Sequence, residues 1–262
     1  MPDKNLKQRL DKVVERINVP EFTASDPVQF PREFGELRDI ETVAFLSALL
    51  AWGRRSMILR DCRRMLDMME WQPARFVMEE GWRGLDESMN IHRTFFVRHL
   101  AYFARGLRDV YRRYPSLDAF SAACGCGDDD APAWAFADVL RRVMLDANEG
   151  EPSPQCIPSN IATTALKRFN MALRWLVRDD GIVDMGVWSS IPKSKLYLPL
   201  DVHVGNISRE LGLLTRRSAD RKAVEQLTAA LREMNPDDPA VYDFALFGLG
   251  VERAGTLGID PK

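Results

Sequence analysis

The chain has few of the residues that cross-link small proteins or bind metal ions. It contains only four cysteines, no two of them form a C-x-x-C pair, and none follows Cys156. Zinc sites and disulfide frameworks usually show paired or regularly spaced cysteines. We therefore predict reduced thiols, no metal site and no cofactor.

Long apolar runs are also missing. No segment has the length of apolar sequence needed to span a bilayer, and the N-terminus lacks the pattern of a secretory signal. From these absences we expect a cytoplasmic protein with no membrane partner.

Alternating strand patterns are scarce, whereas Ala, Leu, Arg, Glu and Met are prominent. We predict an all-α protein, and 46% hydrophobic residues are enough for a substantial core. We expect a single compact unit over residues 1–262. In it, two lobes pack together, one formed by residues 1–36 with 159–262 and the other by residues 37–158.

Charge is balanced overall but not locally. The net charge is −2, which gives no global signature of nucleic-acid binding. Residues 161–222, however, include 11 Lys and Arg but only 6 Asp and Glu, which gives this segment a net charge of +5. This region fits a DNA-facing surface on part of a neutral molecule, and it also fits ordinary solvated helix faces.

Apolar residues at helical spacing predict most of the elements. They indicate helices over residues 4–17 and about 92–114. Asp39 is expected to cap a buried helix over about 40–52, because Asp is a preferred N-cap residue.

The helix expected from Ser159 or Asn160 to about Arg178 has two different faces. One face is apolar, and the opposite stripe carries three cations and an amide, namely Lys167, Asn170, Arg174 and Arg178. That stripe either meets phosphates or meets water.

A proline followed by an aspartate marks the most informative helix start. Pro199 favours an extended entry, which makes Asp201 well placed to cap a helix that ends near Gly212. The helix N-terminus favours an ionised carboxylate, which suits stabilisation of a developing cation. From spacing alone, the simpler interpretation is that Asp201 only caps a helix, because Asp is a common N-cap residue.

The segment L-P-L-D-V-H-V around Asp201, followed by I-S-R-E-L-G-L-L, resembles the catalytic-aspartate segment of the helix-hairpin-helix DNA glycosylases. The resemblance implies a two-lobed helical fold, a double-stranded DNA partner with a damaged base, and a catalytic role for Asp201. Many members bind an iron–sulfur cluster through four C-terminal cysteines. This chain lacks those cysteines, so we predict no cluster.

In bifunctional members of that superfamily, a lysine upstream of the aspartate attacks the sugar C1′. The start A-L-K-R resembles the lysine region of the archaeal 8-oxoguanine branch, which implies Lys167 as the nucleophile. The usual L-P-G-V-G-x-K hairpin is missing, so we expect an atypical hairpin. Lys193 and Lys195 are alternatives that better suit phosphate contacts.

The resemblance also suggests residues that bind the substrate. His203 matches a phosphate-contacting histidine, and Phe244 or Phe247 matches a base-stacking phenylalanine, with Trp188 as another pocket candidate; each could instead be structural or part of the core. The expected DNA-binding residues are Arg168, Arg174, Arg178, Lys193, Lys195, His203, Asn206 and Arg209.

Most of the chain also resembles a bacterial family without an assigned activity. The shared motifs are K-R-x-x-M-x-L-R-W, L-D-x-H-V and Y-D-F-A-L-F-G-L-G. The leading hypothesis is a DNA N-glycosylase for an oxidised purine, with or without abasic-site lyase activity. The alternatives are a non-catalytic nucleic-acid-binding protein on the same scaffold and a helical scaffold for a protein partner.

Overall fold

The computed structural model describes residues 4–253, so the two ends of the expected unit over 1–262 lie outside the described residues. The described chain is mostly helical, which confirms the all-α prediction at the level of class. The helices are α1 (Lys4–Ile17), α2 (Pro20–Thr23), α3 (Leu37–Leu50), α4 (Arg55–Met68), α5 (Pro73–Met78), α6 (Val97–Arg113), α7 (Leu117–Ala123), α8 (Pro132–Asp146), α9 (Lys167–Val177), α10 (Val202–Glu210), α11 (Arg221–Met234) and α12 (Tyr242–Arg253).

Helices from the two ends of the described chain pack together. Helix α1 lies against α12, which also packs against α10, while α3 packs against α9. Gly248 on α12 lets α1 approach, because a Cβ atom there would lie only 2.6 Å from Cγ1 of Ile17. Buried apolar residues from these helices form one continuous cluster. The division into two lobes stays a prediction.

The start of α3 differs from the prediction for a long-range reason. The helix begins at Leu37, and Asp39 lies within its first turn rather than capping it. The Asp39 carboxylate accepts a hydrogen bond from the backbone N–H of Ala74 at 2.7 Å, at the start of α5. Asp39 therefore accepts a hydrogen bond from the start of α5 instead of capping α3.

A short hairpin replaces the first turns of the helix expected at residue 92. Strand β1 (Asn90–His92) pairs with β2 (Phe95–Phe96) in antiparallel fashion, and α6 begins only at Val97. Tertiary contacts favour this hairpin, because the His92 ring is fully buried against Asp61 and the carbonyl of Trp52.

Helix α9 starts later than Ser159 or Asn160, at Lys167. The preceding backbone pairs with another segment instead: Thr164 bridges to Asp220, and the N–H of Arg221 donates to the carbonyl of Thr163 at 2.8 Å. Leu166 then adopts a left-handed conformation (φ 48°), which turns the chain into the helix.

None of the helices within residues 4–253 is both long enough and apolar enough to cross a membrane.

A buried carboxylate connects α3 to α7. Glu41 is fully buried and accepts hydrogen bonds from the backbone N–H groups of Leu117 and Asp118, at 2.8 and 2.9 Å. Burial raises the pKa of Glu41 to about 7, although these two N–H groups act in the opposite direction. Glu41 thus holds the start of α7, and ionising this carboxyl group in the folded protein costs free energy.

We expect Glu41→Gln to change the pH dependence of stability. Between about pH 4.5 and 7 the folded protein holds a proton on Glu41 that the unfolded chain has lost, so the free energy of unfolding falls as pH rises. Between about pH 5 and 8, the free energy of unfolding measured in urea should fall by about 2–3 kcal/mol less in the variant than in the wild-type protein.

The exposed neighbour Glu36 provides the control, because Glu36→Gln removes a carboxylate without changing the buried site. Its pH profile should follow that of the wild-type protein. Parallel profiles for the wild type and Glu41→Gln would contradict the role given to Glu41.

Candidate active site

The structure brings Lys167 and Asp201 together from distant parts of the chain. Lys167 Nζ lies 3.4 Å from Asp201 Oδ2, and both side chains are partly exposed, at 34% and 21%. One residue begins α9 and the other caps α10, so two helix starts meet at one point. The pair is accessible to a ligand from solvent.

Asp201 uses its two oxygens for different purposes. Oδ1 accepts a hydrogen bond from the backbone N–H of Val204 at 2.8 Å, which confirms the predicted N-cap. Oδ2 is the oxygen that faces Lys167. The cap therefore fixes the orientation of the carboxylate, and the second oxygen stays available to a positively charged group.

The position of Lys167 follows from the burial of the rest of α9. Phe169 and Leu173 are buried against the core, and so is Leu166 just before the helix. A cation at a helix N-terminus faces the positive end of the helix dipole, and the Asp201 carboxylate offsets that repulsion. The lysine is thus held at the surface by an anchored helix.

Two further acids lie in the electrostatic surroundings of this pair. Burial raises the pKa of Asp243 to about 6, with Arg174 opposing the rise and the charge of Asp201 adding to it. Burial also raises the pKa of Asp26, against the Val28 N–H and nearby cations that include Lys167. The sequence offered only local cap signals for these acids, so our sequence analysis missed them.

Arg174 and Arg178 do not belong to a DNA-facing surface, contrary to our prediction. They are only 4% and 2% exposed. Arg174 forms ion pairs with Asp184 and Asp243, and Arg178 forms ion pairs with three aspartates, Asp180, Asp184 and Asp238.

The helical stripe was interpreted wrongly because other segments cover it. Asn170, on the same stripe, is also buried, at 1% exposure. The acids that pair with the arginines come from the segment after α9 and from the region that starts α12. These arginines are internal cations whose charge is already compensated.

Lys195 is likewise engaged within the protein. Its Nζ donates to three carbonyl oxygens, those of Gly127, Asp128 and Asp129, at 2.9–3.1 Å. An ammonium group has three donors, and all three of Lys195 are directed at this segment. The phosphate contact of Lys195 stays a prediction. Lys193 is exposed and forms an ion pair with Asp179 at 2.7 Å.

Two of the three predicted pocket aromatics belong to the core. Phe244 is fully buried beneath Arg174, and Trp188 is 4% exposed and packs against Phe136. Neither ring can stack on a base from this position, so those two predictions are wrong. Phe247 is partly exposed, and its ring lies 5.1 Å from the guanidinium carbon of Arg55.

The predicted contacts on α10 lie together. His203, Asn206 and Arg209 line one surface depression of about 450 Å³ between α10 and α12. Arg209 donates to the carbonyl oxygens of Arg216 and Arg217, which orients its guanidinium along the surface. These residues stay candidates for backbone contacts.

The described cysteines are all free, and three of them are buried. Within residues 4–253, no three His, Cys, Asp or Glu side chains are grouped as a metal ion would require.

Residues 26–252 match the family described as Protein of unknown function (DUF2400). The chain belongs to this family. The matched range contains both members of the Lys167–Asp201 pair, all of α9 and α10, and most of α12. No curated protein and no solved structure matches the chain.

We expect Asp201→Ala to lower the free energy of unfolding by about 1 kcal/mol, because alanine cannot accept the Val204 hydrogen bond. Asp201→Asn should lose much less, since asparagine caps as well as aspartate. Urea denaturation measures both. Asp220→Ala, which removes the matching cap of α11, should behave like Asp201→Ala. Equal losses in the Asn and Ala variants would contradict the capping role.

Proposed function

We propose that this DUF2400 protein is a DNA N-glycosylase that removes an oxidised purine from duplex DNA and can also act as an abasic-site lyase. The observation that carries the proposal is the Lys167–Asp201 pair, with Nζ and Oδ2 at 3.4 Å across two helix starts. The resemblance of L-P-L-D-V-H-V implied a catalytic aspartate, and the lysine chosen from A-L-K-R is the one beside it.

The Lys167–Asp201 pair also supports a helix-hairpin-helix glycosylase-like fold with an atypical hairpin. In our proposal, the irregular segment 159–166 takes the place of the Gly-rich hairpin before the lysine helix. It ends in the left-handed residue Leu166, immediately before Lys167. A turn of this kind can place a lysine at a helix start without the glycines of the usual motif.

The chemistry requires one nucleophile and one fixed negative charge. Deprotonated Lys167 Nζ would attack C1′ while the bond between C1′ and the base breaks, and the base would leave with the bonding electrons and take up a proton. Asp201 would stabilise the positive charge that develops on the sugar. The amine adduct would then open to a Schiff base, from which loss of a proton at C2′ expels the 3′ phosphate.

Surrounding residues support a nucleic-acid substrate in this proposal. His203 and Asn206 are exposed on the first turns of α10, close to Asp201 in sequence. Contacts of such side chains to phosphates would set the position of the duplex without reading its sequence. Phe247 is the remaining aromatic candidate for the base pocket.

Borohydride trapping tests the nucleophile. Wild-type protein incubated with duplexes that carry 8-oxoguanine or an abasic site should form a covalent adduct, because borohydride reduces the Schiff base. Lys167→Gln should lose the adduct completely, whereas Lys193→Gln, an exposed lysine in an ion pair, should keep it. An adduct that survives Lys167→Gln would refute this assignment.

Base release tests the aspartate. We expect Asp201→Asn to slow release of 8-oxoguanine by about 100-fold or more, because the developing cation loses its counter-charge. Affinity for the duplex should stay within about twofold. The matched control is Asp220→Asn, which alters the cap of α11 and should leave release unchanged. Salt-dependent binding without release in the wild type would instead support a non-catalytic binding protein.

A further inference from the structure

Two arginines lie against Trp52, in the connection between α3 and α4, and a third lies two residues after it in the chain. The guanidinium carbon of Arg93 lies 4.3 Å from the centre of the Trp52 ring, and that of Arg168 lies 5.9 Å from it. Arg54 is exposed in the same connection. We call these residues, Arg54, Arg93 and Arg168 around Trp52, the arginine face.

The geometry of this face is built into the fold. The buried His92 ring donates through Nε2 to the Trp52 carbonyl at 2.9 Å, while its Nδ1 lies 2.7 Å from Asp61. Gly53 has a φ of +108°, and a Cβ atom there would lie 2.8 Å from Nη1 of Arg93. Glycine therefore provides both the turn and the space for that guanidinium.

The three arginines of the arginine face have no ion-pair partner among residues 4–253. The contacts of the Arg93 and Arg168 guanidinium groups there are with the Trp52 ring and, for Arg168, the carbonyl of Gln155, and none of these partners is a carboxylate. The only acid among residues 54–64 is Asp61, which is buried and bonded to Arg60 and His92. This contrasts with Arg174 on α9 and Arg178 at its C-terminal cap, which form ion pairs with aspartates.

Arg168 links this surface to the candidate active site, because it follows Lys167 directly on α9. It is partly buried and donates through Nη1 to the carbonyl of Gln155 at 3.1 Å, which holds its guanidinium beside Trp52. Guanidinium groups stacked on an aromatic ring lose little freedom on binding, and their planar forks match phosphate oxygens.

We propose that the arginine face binds phosphates of the duplex DNA backbone on one side of Lys167. The inference rests on the proposed function for its choice of partner. Arg174 and Arg178, two of the cations that our sequence analysis assigned to this role, are internal. Arg168, assigned to the same role, joins the arginine face to the helix start that carries Lys167. Charge complementarity and the fixed guanidinium planes favour a polyanion with regularly spaced phosphates.

Salt-dependent binding tests the proposal without requiring catalysis. The probe is a short fluorescein-labelled duplex with a tetrahydrofuran abasic analogue, which cannot form a Schiff base. Fluorescence anisotropy gives Kd at KCl concentrations between about 50 and 200 mM. Arg54→Gln and Arg93→Gln should each weaken binding about tenfold and reduce the magnitude of the salt slope by about 1.

The matched control is Arg112→Gln, an exposed arginine near the end of α6 farthest from the hairpin that carries Arg93. It should leave both Kd and slope unchanged. Unchanged binding in Arg54→Gln and Arg93→Gln, or a wild-type protein without salt-dependent affinity for the duplex, would overturn the proposal.

Trapping of the wild type separates this inference from the proposed function. If the adduct forms but the arginine-face variants bind normally, the glycosylase proposal stands and the arginine face does not bind the backbone. If no adduct forms but both variants lose affinity and salt slope, the arginine face is a DNA-binding surface on a protein with different chemistry.

Discussion

Two buried arginines, one in α9 and one directly after it, can stay away from water only with carboxylate partners, and this requirement organises the region behind the candidate active site. Arg174 pairs with Asp184 and Asp243, and Arg178 pairs with Asp180, Asp184 and Asp238. An unpaired charge at these positions would cost several kcal/mol of stability, on the order that breaking a buried ion pair costs. The segment after α9 and the start of α12 are therefore held against one helix.

The geometry of the candidate site follows from that arrangement. Asp243 ties α12 to α9, and α10 packs against α12. Helix α9 supplies Lys167, and the N-cap of α10 supplies Asp201. The distance of 3.4 Å between Lys167 Nζ and Asp201 Oδ2 is therefore set by the packing of these helices behind the pair. The exposed Lys167–Asp201 pair keeps charged groups available to a ligand. The buried ion pairs of Arg174 and Arg178 instead neutralise their charges inside the protein.

Local signals in the sequence were enough wherever a short segment decides its own structure. The amphipathic pattern over 4–17 gives α1, and Pro199 with Asp201 gives the capped start of α10. Patterns were misleading where distant groups compete for the same atoms. Asp39 binds the start of α5, and the backbone around Thr164 pairs with Asp220, so neither segment follows its local preference.

The sequence by itself determined the helical class and the cap at Asp201, because helix periodicity and capping are local properties. The resemblance of A-L-K-R favoured Lys167 among three candidate lysines, and the fold places that lysine beside Asp201. Only the tertiary structure decided which cations face solvent. Arg174 and Arg178 lie on a stripe that helical spacing marks as polar, yet aspartates from distant segments bury them. Arg93 and Trp52 are far apart in sequence and meet only because the buried His92 holds their two segments together. The burial of a helix face depends on which other segments pack over it, and the sequence of that helix alone does not specify those segments.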